Sequence, residues 1–104
     1  MINSPNTVLV RLGESADIEA ASALLEAQLR EHVLPISAGG ARPVIERLVA
    51  DSRLGFMLLA LAEGAPVGVA FAAAHLSLEY GGMIGWLEEL YVVPARRNGE
   101  MACD

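Results

Sequence analysis

A long apolar stretch from Leu54 to Leu78 limits what this 104-residue chain can fold into, because it carries a single charge, Glu63. A stretch of this length is long enough to cross a bilayer as one helix, which takes about 20 apolar residues. A turn signal, Glu63-Gly64-Ala65-Pro66, falls in its middle and divides it into two segments of strand length. The stretch therefore predicts a β-hairpin and not a membrane-spanning helix.

The segments on either side of this hairpin predict two helices and two further strands. Ser15 can cap a first helix, and Pro43 suits the first turn of a second one. The run at Phe56–Ala62 is apolar throughout, which predicts a central strand covered on both faces. Short turns join the last three strands, so we expect an α/β fold of the α+β type, βααβββ, with both helices packed on a mostly antiparallel sheet. The predicted elements are a strand at Thr7–Leu12, helices at Ala16–His32 and Pro43–Ser52, and strands at Phe56–Ala62, Pro66–Ser77 and Met83–Val93.

Composition excludes several classes of partner. Acidic residues outnumber basic residues by 13 to 7, for a net charge of -6, and there is no lysine. This balance argues against nucleic acid or an anionic membrane surface as a partner. Cys103 is the single cysteine, so we expect no disulfide framework, no metal site and a cytoplasmic location. The N-terminus has neither the basic start nor the apolar stretch of a signal peptide.

The segment from Trp86 to Gly99 carries the most functional information. It reads Trp-Leu-Glu-Glu-Leu-Tyr-Val-Val-Pro-Ala-Arg-Arg-Asn-Gly, a strand that ends at a proline and leads into a loop. It resembles the fourth strand and cofactor loop of GNAT-superfamily N-acetyltransferases, in which a Leu-Tyr-Val-x-Pro-like stretch precedes Arg/Gln-x-x-Gly-x-Gly/Ala. The resemblance implies that amides of this loop meet the pyrophosphate of acetyl-CoA at a helix start. The residues implied in cofactor binding are Tyr91, Val92, Val93, Arg96, Arg97 and Gly99.

The resemblance also implies a reaction, the attack of a substrate amine on the thioester carbonyl of acetyl-CoA. This reaction needs a base for the ammonium and a donor for the oxygen that becomes negative. Backbone amides near Val92 are the implied donor, and Glu89, or alternatively Glu88, is the implied base. Adjacent strand residues point to opposite faces, so we expect only one glutamate to face the cleft, which excludes paired-carboxylate chemistry. A solvent-facing structural role is equally compatible with either glutamate.

The end of the sequence departs from the family pattern. Met101 stands where the family has Gly or Ala, and the sequence ends at Asp104, before the helix that follows this loop in the family. Residues 1–104 are therefore expected to form a single, incomplete GNAT-like domain, the N-terminal portion of the family fold. Three functions stay open: acetyl transfer to a small-molecule or peptide amine, a catalytically inactive binding or dimerisation module, and a fragment of a longer enzyme. Because 54% of the residues are apolar, we expect a homodimer.

Overall fold

Over the part of the chain that the structure describes, the fold is a four-stranded sheet with two helices packed on one of its faces. Its elements are β1 (Val8–Leu12), α1 (Ile18–Glu31), α2 (Arg42–Ala50), β2 (Gly55–Ala62), β3 (Ala65–Ser77) and β4 (Gly82–Val92), with single 3-10 turns at Ser15–Asp17 and Pro94–Arg96. A computed structural model describes residues 8–35 and 40–97. Within them the strands lie in chain order, and every neighbouring pair is antiparallel. The predicted fold class and element order are therefore confirmed.

The first helix begins differently from the prediction. Ser15 lies inside the 3-10 turn that precedes α1, so the predicted role of Ser15 as the helix cap is wrong. Asp17 is the acceptor at this point: its Oδ2 accepts a hydrogen bond from the Glu14 amide at 2.9 Å. The two Asp17 oxygens also bind the Arg11 guanidinium, at 2.7 and 2.9 Å. The Asp17 carboxylate therefore joins β1 to the start of α1. A serine hydroxyl carries no charge and could not form these two contacts with the Arg11 guanidinium.

Apolar stripes on the two helices supply one half of the core. Ala21 and Leu25 of α1 are buried, and so are Ile45 and Leu48 of α2, at the spacings of three and four residues that keep side chains on one helix face. Val44, next to Ile45 in the chain, is exposed. The buried sheet residues in contact with the helices are Met57, Leu59, Val69 and Tyr91.

The long apolar stretch forms a β-hairpin, as predicted. β2 and β3 pair antiparallel, and their turn contains Glu63 and Gly64, both with positive φ, the left-handed conformation that such a tight turn requires. No helix within residues 8–35 and 40–97 is long and apolar enough to cross a membrane.

The second strand is interior to the sheet, but its two faces differ. β2 lies between β1 and β3, and its Met57 and Leu59 are buried under the helices, whereas Phe56 on the other face is exposed. The prediction that this strand is covered on both faces is therefore wrong for the described residues, because both helices lie on the same side of the sheet.

The face opposite the helices is apolar, and no described helix covers it. On β1 its side chains are Val10 and Leu12, which lie across from Ala60 and Leu58 of β2. It continues over β3 to β4, where Leu90 lines the same apolar surface as Val10. We call this surface the open face, and its exposed members are Val10, Leu12, Phe56, Leu87 and Leu90.

Candidate functional site

A β-bulge in β4 places two neighbouring glutamates beside the same cavity. Phe71 of β3 pairs with Glu89, whereas Ala72 pairs with Leu87, so Glu88 is an extra residue in β4. A bulge interrupts the alternation of side chains along a strand, and both Glu88 and Glu89 consequently line one cavity. The prediction that only one of them faces the cleft is therefore wrong, and the exclusion of paired-carboxylate chemistry loses its basis.

The cavity lies between the two helices and the sheet and has a volume of about 190 Å³. Glu88 is exposed and Glu89 is half-buried. Gln28 of α1 donates through Nε2 to Oε1 of Glu89 at 3.2 Å, which orients that carboxylate. The rest of the lining is apolar and consists of Leu25, Leu29, Ala41, Val44, Ile45 and Phe71. Such a cavity suits a cation that carries an apolar group.

The end of β4 presents backbone groups to the open edge of the described sheet. The Val93 amide donates to the Val67 carbonyl at 2.9 Å, so the backbone groups of Val93 face inward, toward β3. Successive residues of an antiparallel strand direct their backbone groups to opposite sides, so those of Val92 face outward. In agreement, the Val92 carbonyl accepts a hydrogen bond from Arg97 Nε at 2.7 Å. The Val92 amide therefore points to the side on which a ligand can lie beside β4.

Tyr91 and Arg97 make contacts within the protein. The Tyr91 side chain is buried, and its hydroxyl donates to Glu31 Oε2 at 2.9 Å; burial first, and then this hydrogen bond, raise the pKa of Tyr91. Arg97 donates to both Glu31 oxygens, at 2.9 and 3.0 Å, and its guanidinium lies over the Tyr91 ring, 5.3 Å from the centroid. The hydrogen bonds from Tyr91 and then Arg97 lower the pKa of Glu31. The end of α1 and the end of β4 are thus joined by polar contacts.

The predicted site residues fall into two groups. Glu88 and Glu89 meet at the cavity, whereas Tyr91, Val92 and Arg97 meet at the end of β4. The other two described members of the predicted set, Val93 and Arg96, are half-buried around the 3-10 turn that follows β4. Gly99 lies outside the described residues. Within residues 8–35 and 40–97, no group of three or more His, Cys, Asp or Glu side chains is arranged to hold a metal ion.

Sequence reasoning misses two residues of α1 that contact β4. Gln28 and Glu31 are three residues apart, so they lie on the same side of the helix, and they contact Glu89 and Tyr91 respectively. Their spacing of three residues places two polar side chains on one side of α1. This spacing is the one signal in the sequence for a polar contact with β4. The contacts themselves join residues 61 and 60 positions apart, which no local pattern reveals.

Comparison with known proteins gives matches among solved structures. No protein-family model and no curated protein match the sequence. A possible acetyltransferase from Clostridium difficile 630 matches with a TM-score of 0.78 and 15% identity over 88% of this chain and 61% of that chain. A predicted acetyltransferase from Clostridium acetobutylicum, solved with acetyl-CoA, has a TM-score of 0.73 and 15% identity over 93% of this chain and 67% of that one. A GNAT family acetyltransferase from Brucella melitensis in complex with acetyl-CoA has a TM-score of 0.63 and 21% identity over 92% and 61%.

The chain covers only part of each matched structure. The chain spans 61 to 67% of their length. Identities of 15 to 21% with these structures establish a common fold, and a fold by itself does not establish an activity. The chain therefore has the fold of GNAT-family acetyltransferases over the part of that fold which it spans.

Proposed function

We propose that this chain takes part in the transfer of an acetyl group from acetyl-CoA to an amine, as an N-acetyltransferase. The main support is the bulge at Glu88, through which two neighbouring glutamates of β4 line the same cavity. The same strand directs the Val92 amide to its open edge. One strand thus supplies a candidate base and a candidate hydrogen-bond donor, the two groups that amine acetylation needs.

Glu89 is the proposed base. Its carboxylate is half-buried and is oriented by Gln28 at 3.2 Å, so it has a defined position from which to take the proton of the ammonium, directly or through a water molecule. Glu88 is exposed at the same cavity. Its role is to add negative charge that attracts the cationic form of the acceptor.

Acetyl-CoA, when bound, supplies the thioester whose acetyl group is transferred. β4 is an edge strand among the described residues, and an outward amide on such an edge fits a carbonyl group that needs a donor. We therefore propose that the Val92 amide donates a hydrogen bond to the acetyl carbonyl oxygen of acetyl-CoA. The residues proposed to border the rest of the cofactor are those at the end of the strand and in the following loop: Tyr91, Val93, Arg96, Arg97 and Gly99.

The cavity suggests the class of acceptor. Its lining combines two glutamates with six apolar residues, and the chain has a net charge of -6. We propose a small-molecule or peptide amine whose ammonium contacts Glu88 and Glu89 and whose apolar substituent fills the remaining volume.

Titration of acetyl-CoA into the chain by calorimetry tests the proposal. We expect specific binding, and cofactor at about 100 times its dissociation constant should add about 2.7 kcal/mol to the free energy of unfolding. Amines with apolar substituents should then be acetylated. Neutral alcohols of the same shape lack the ammonium group and serve as the control for binding in the cavity. A folded chain that does not bind acetyl-CoA would overturn the proposal.

Substitution of Glu89 tests its assignment as the base. Glu89→Gln should lower the acetylation rate by about 10²- to 10⁴-fold while the affinity for acetyl-CoA stays unchanged. Glu79→Gln, an exposed glutamate in the β3–β4 turn, is the matched control and should have the rate of the unchanged chain. A Glu89→Gln variant that is as active as this control would exclude Glu89 as the base.

A catalytically inactive binding or dimerisation module is the second candidate, and the contacts of Arg97 favour it. The Arg97 guanidinium is bound to Glu31 at 2.9 and 3.0 Å, so a phosphate group would have to compete with a carboxylate for it. This candidate predicts a folded chain that dimerises and does not bind acetyl-CoA in the titration above.

A further inference from the structure

Three side chains join the end of α1 to the end of β4, and we call Glu31, Tyr91 and Arg97 the clamp. Glu31 Oε2 accepts a hydrogen bond from the Tyr91 hydroxyl at 2.9 Å, and both Glu31 oxygens accept from Arg97 Nη2, at 2.9 and 3.0 Å. Arg97 also donates through Nε to the Val92 carbonyl at 2.7 Å. The clamp therefore connects a helix, a strand and the segment that follows the strand.

The clamp holds the residue whose amide faces the open edge. The carbonyl and amide of Val92 point to the same side of β4, so a contact that fixes the carbonyl also fixes the amide. Arg97 reaches this carbonyl because the chain turns back through the 3-10 turn at Pro94–Arg96. Glu31 binds the other part of the same guanidinium, and the Tyr91 ring lies beneath it. A planar guanidinium with three such neighbours has a defined position.

We propose that Glu31 and Arg97 are positioning residues: Glu31 holds Arg97, and Arg97 holds Val92 in the orientation that receives the acetyl carbonyl. This inference rests on the proposed function, and it assigns to Arg97 a contact with Val92 in place of a contact with the cofactor phosphates. The charge of Arg97 is already balanced by Glu31. A phosphate that bound the guanidinium would have to compete with the Glu31 carboxylate, which already makes two contacts with it.

The two roles of Arg97 predict opposite effects of a change at Glu31. If Arg97 positions Val92, then Glu31→Gln and Arg97→Gln both weaken acetyl-CoA binding, by about fivefold each, and the double variant is no weaker than either single variant. If Arg97 instead binds phosphate, Glu31→Gln removes a competing carboxylate and strengthens binding, while Arg97→Gln weakens it. Arg97→Lys keeps the charge but loses the planar fork, so it should resemble Arg97→Gln under our proposal.

A second measurement tests the clamp without the cofactor. In the ¹⁵N-labelled full chain, Glu31→Gln should shift the NMR resonance of the Val92 amide. The same substitution should have no further effect in an Arg97→Gln background, because Glu31 acts through Arg97. Glu46→Gln breaks the exposed ion pair with Arg42, 3.2 Å long, and is the matched control that should leave Val92 unchanged. The Glu31 and Arg97 side chains are 36% and 37% exposed, so these variants should fold.

The outcomes separate this inference from the proposed function. Opposite effects of Glu31→Gln and Arg97→Gln on acetyl-CoA affinity, or a Val92 amide that does not respond to Glu31→Gln, would overturn the inference. If the unchanged chain does not bind acetyl-CoA but Val92 depends on both residues in the NMR experiment, the clamp is supported and the proposed function fails. Equal losses of acetyl-CoA affinity in Glu31→Gln and Arg97→Gln, with no further loss in the double variant, would support both the inference and the proposed function if the Val92 shift is also seen.

Discussion

The two faces of the sheet are built from the same kinds of side chain but have opposite surroundings. On the face toward the helices, Leu59 and Tyr91 are 0% and 5% exposed, whereas on the open face Leu12 and Leu90 are 62% and 55% exposed. Hydrophobicity alone therefore does not decide which side chains of these strands are buried, because the decisive factor is which face the helices cover. The free energy gained from apolar burial is concentrated on that face.

Leu59→Ala should have the largest effect on stability. It removes buried methyl groups and leaves a cavity under the helices, so the free energy of unfolding should fall by about 2 to 5 kcal/mol. Leu90→Ala is the same chemical change on the open face, and it should cost less than about 1 kcal/mol because Leu90 is already more than half exposed. Urea unfolding measures both. Equal losses at a protein concentration where the chain is monomeric would break the comparison.

Asp17→Asn tests the polar contacts on the helix side. Arg11 lies across from Leu59 and reaches Asp17 at 2.7 and 2.9 Å, whereas its neighbours Val10 and Leu12 belong to the open face. A neutral amide loses the charged pair at a buried position, so the free energy of unfolding should fall by about 1 to 3 kcal/mol.

A matched control for Asp17→Asn comes from the other end of the helical segment. Asp51→Asn removes the ion pair with Arg53, whose side chain is 87% exposed, and should cost clearly less stability than Asp17→Asn, because solvent screens an exposed pair. Chemical unfolding compares the two variants. An equal loss in both would show that the Arg11–Asp17 pair acts as an ordinary surface contact.

Acid should weaken the contacts on the helix side. The hydrogen bond from Arg11 is the main cause that lowers the pKa of Asp17, and those from Tyr91 and Arg97 lower the pKa of Glu31. A carboxylate with a lowered pKa in the folded state stabilises the fold above its ordinary pKa of about 4, and this contribution is lost as the pH falls through the lowered value. Urea unfolding at a series of pH values should show the decline below about pH 4. The decline should be shallower in Asp17→Asn, and an identical profile would exclude Asp17 as a contributor.

Leu90→Ser should have a small effect on the stability of the monomer but a clear effect on association. We propose that the homodimer expected from the apolar composition forms through the open face. At a concentration where the chain is monomeric, the substitution should lower the free energy of unfolding by less than about 1 kcal/mol, as Leu90→Ala does. At higher concentrations it should reduce dimerisation in sedimentation velocity. Leu78→Ser, at an exposed leucine in the β3–β4 turn and outside the open face, is the control. An unchanged chain that is monomeric at every concentration would overturn this proposal.

Elements that depend on local pattern were predictable from the sequence. The last strand was predicted at Met83–Val93 and lies at Gly82–Val92, because glycines before it and a proline after it mark both ends. The bulge inside this strand was not predictable. Neither Gly nor Pro lies within two residues of Glu88 to mark an extra residue, so the sequence predicts strict alternation there.

Contacts between segments that lie far apart in the chain could also not be predicted from the sequence. Arg97 could be identified by the resemblance of its loop, but its partner Glu31 lies 66 positions away. An arginine after a strand has the same local pattern whether it binds phosphate or a carboxylate of its own chain. In the structure, the acceptors around the Arg97 guanidinium are the Glu31 carboxylate and the Val92 carbonyl.

The chain order of the strands also implies an order of folding. β2, β3 and β4 are joined by short turns, so their pairing closes small loops at little entropic cost. β1 can pair with β2 only after the whole helical segment between them has been brought into place, a contact of much higher sequence separation. We therefore expect the three-strand meander to form early and β1 to join late. Under native conditions, the amide hydrogens of β1, a five-residue edge strand, should be the first of the sheet to exchange with solvent.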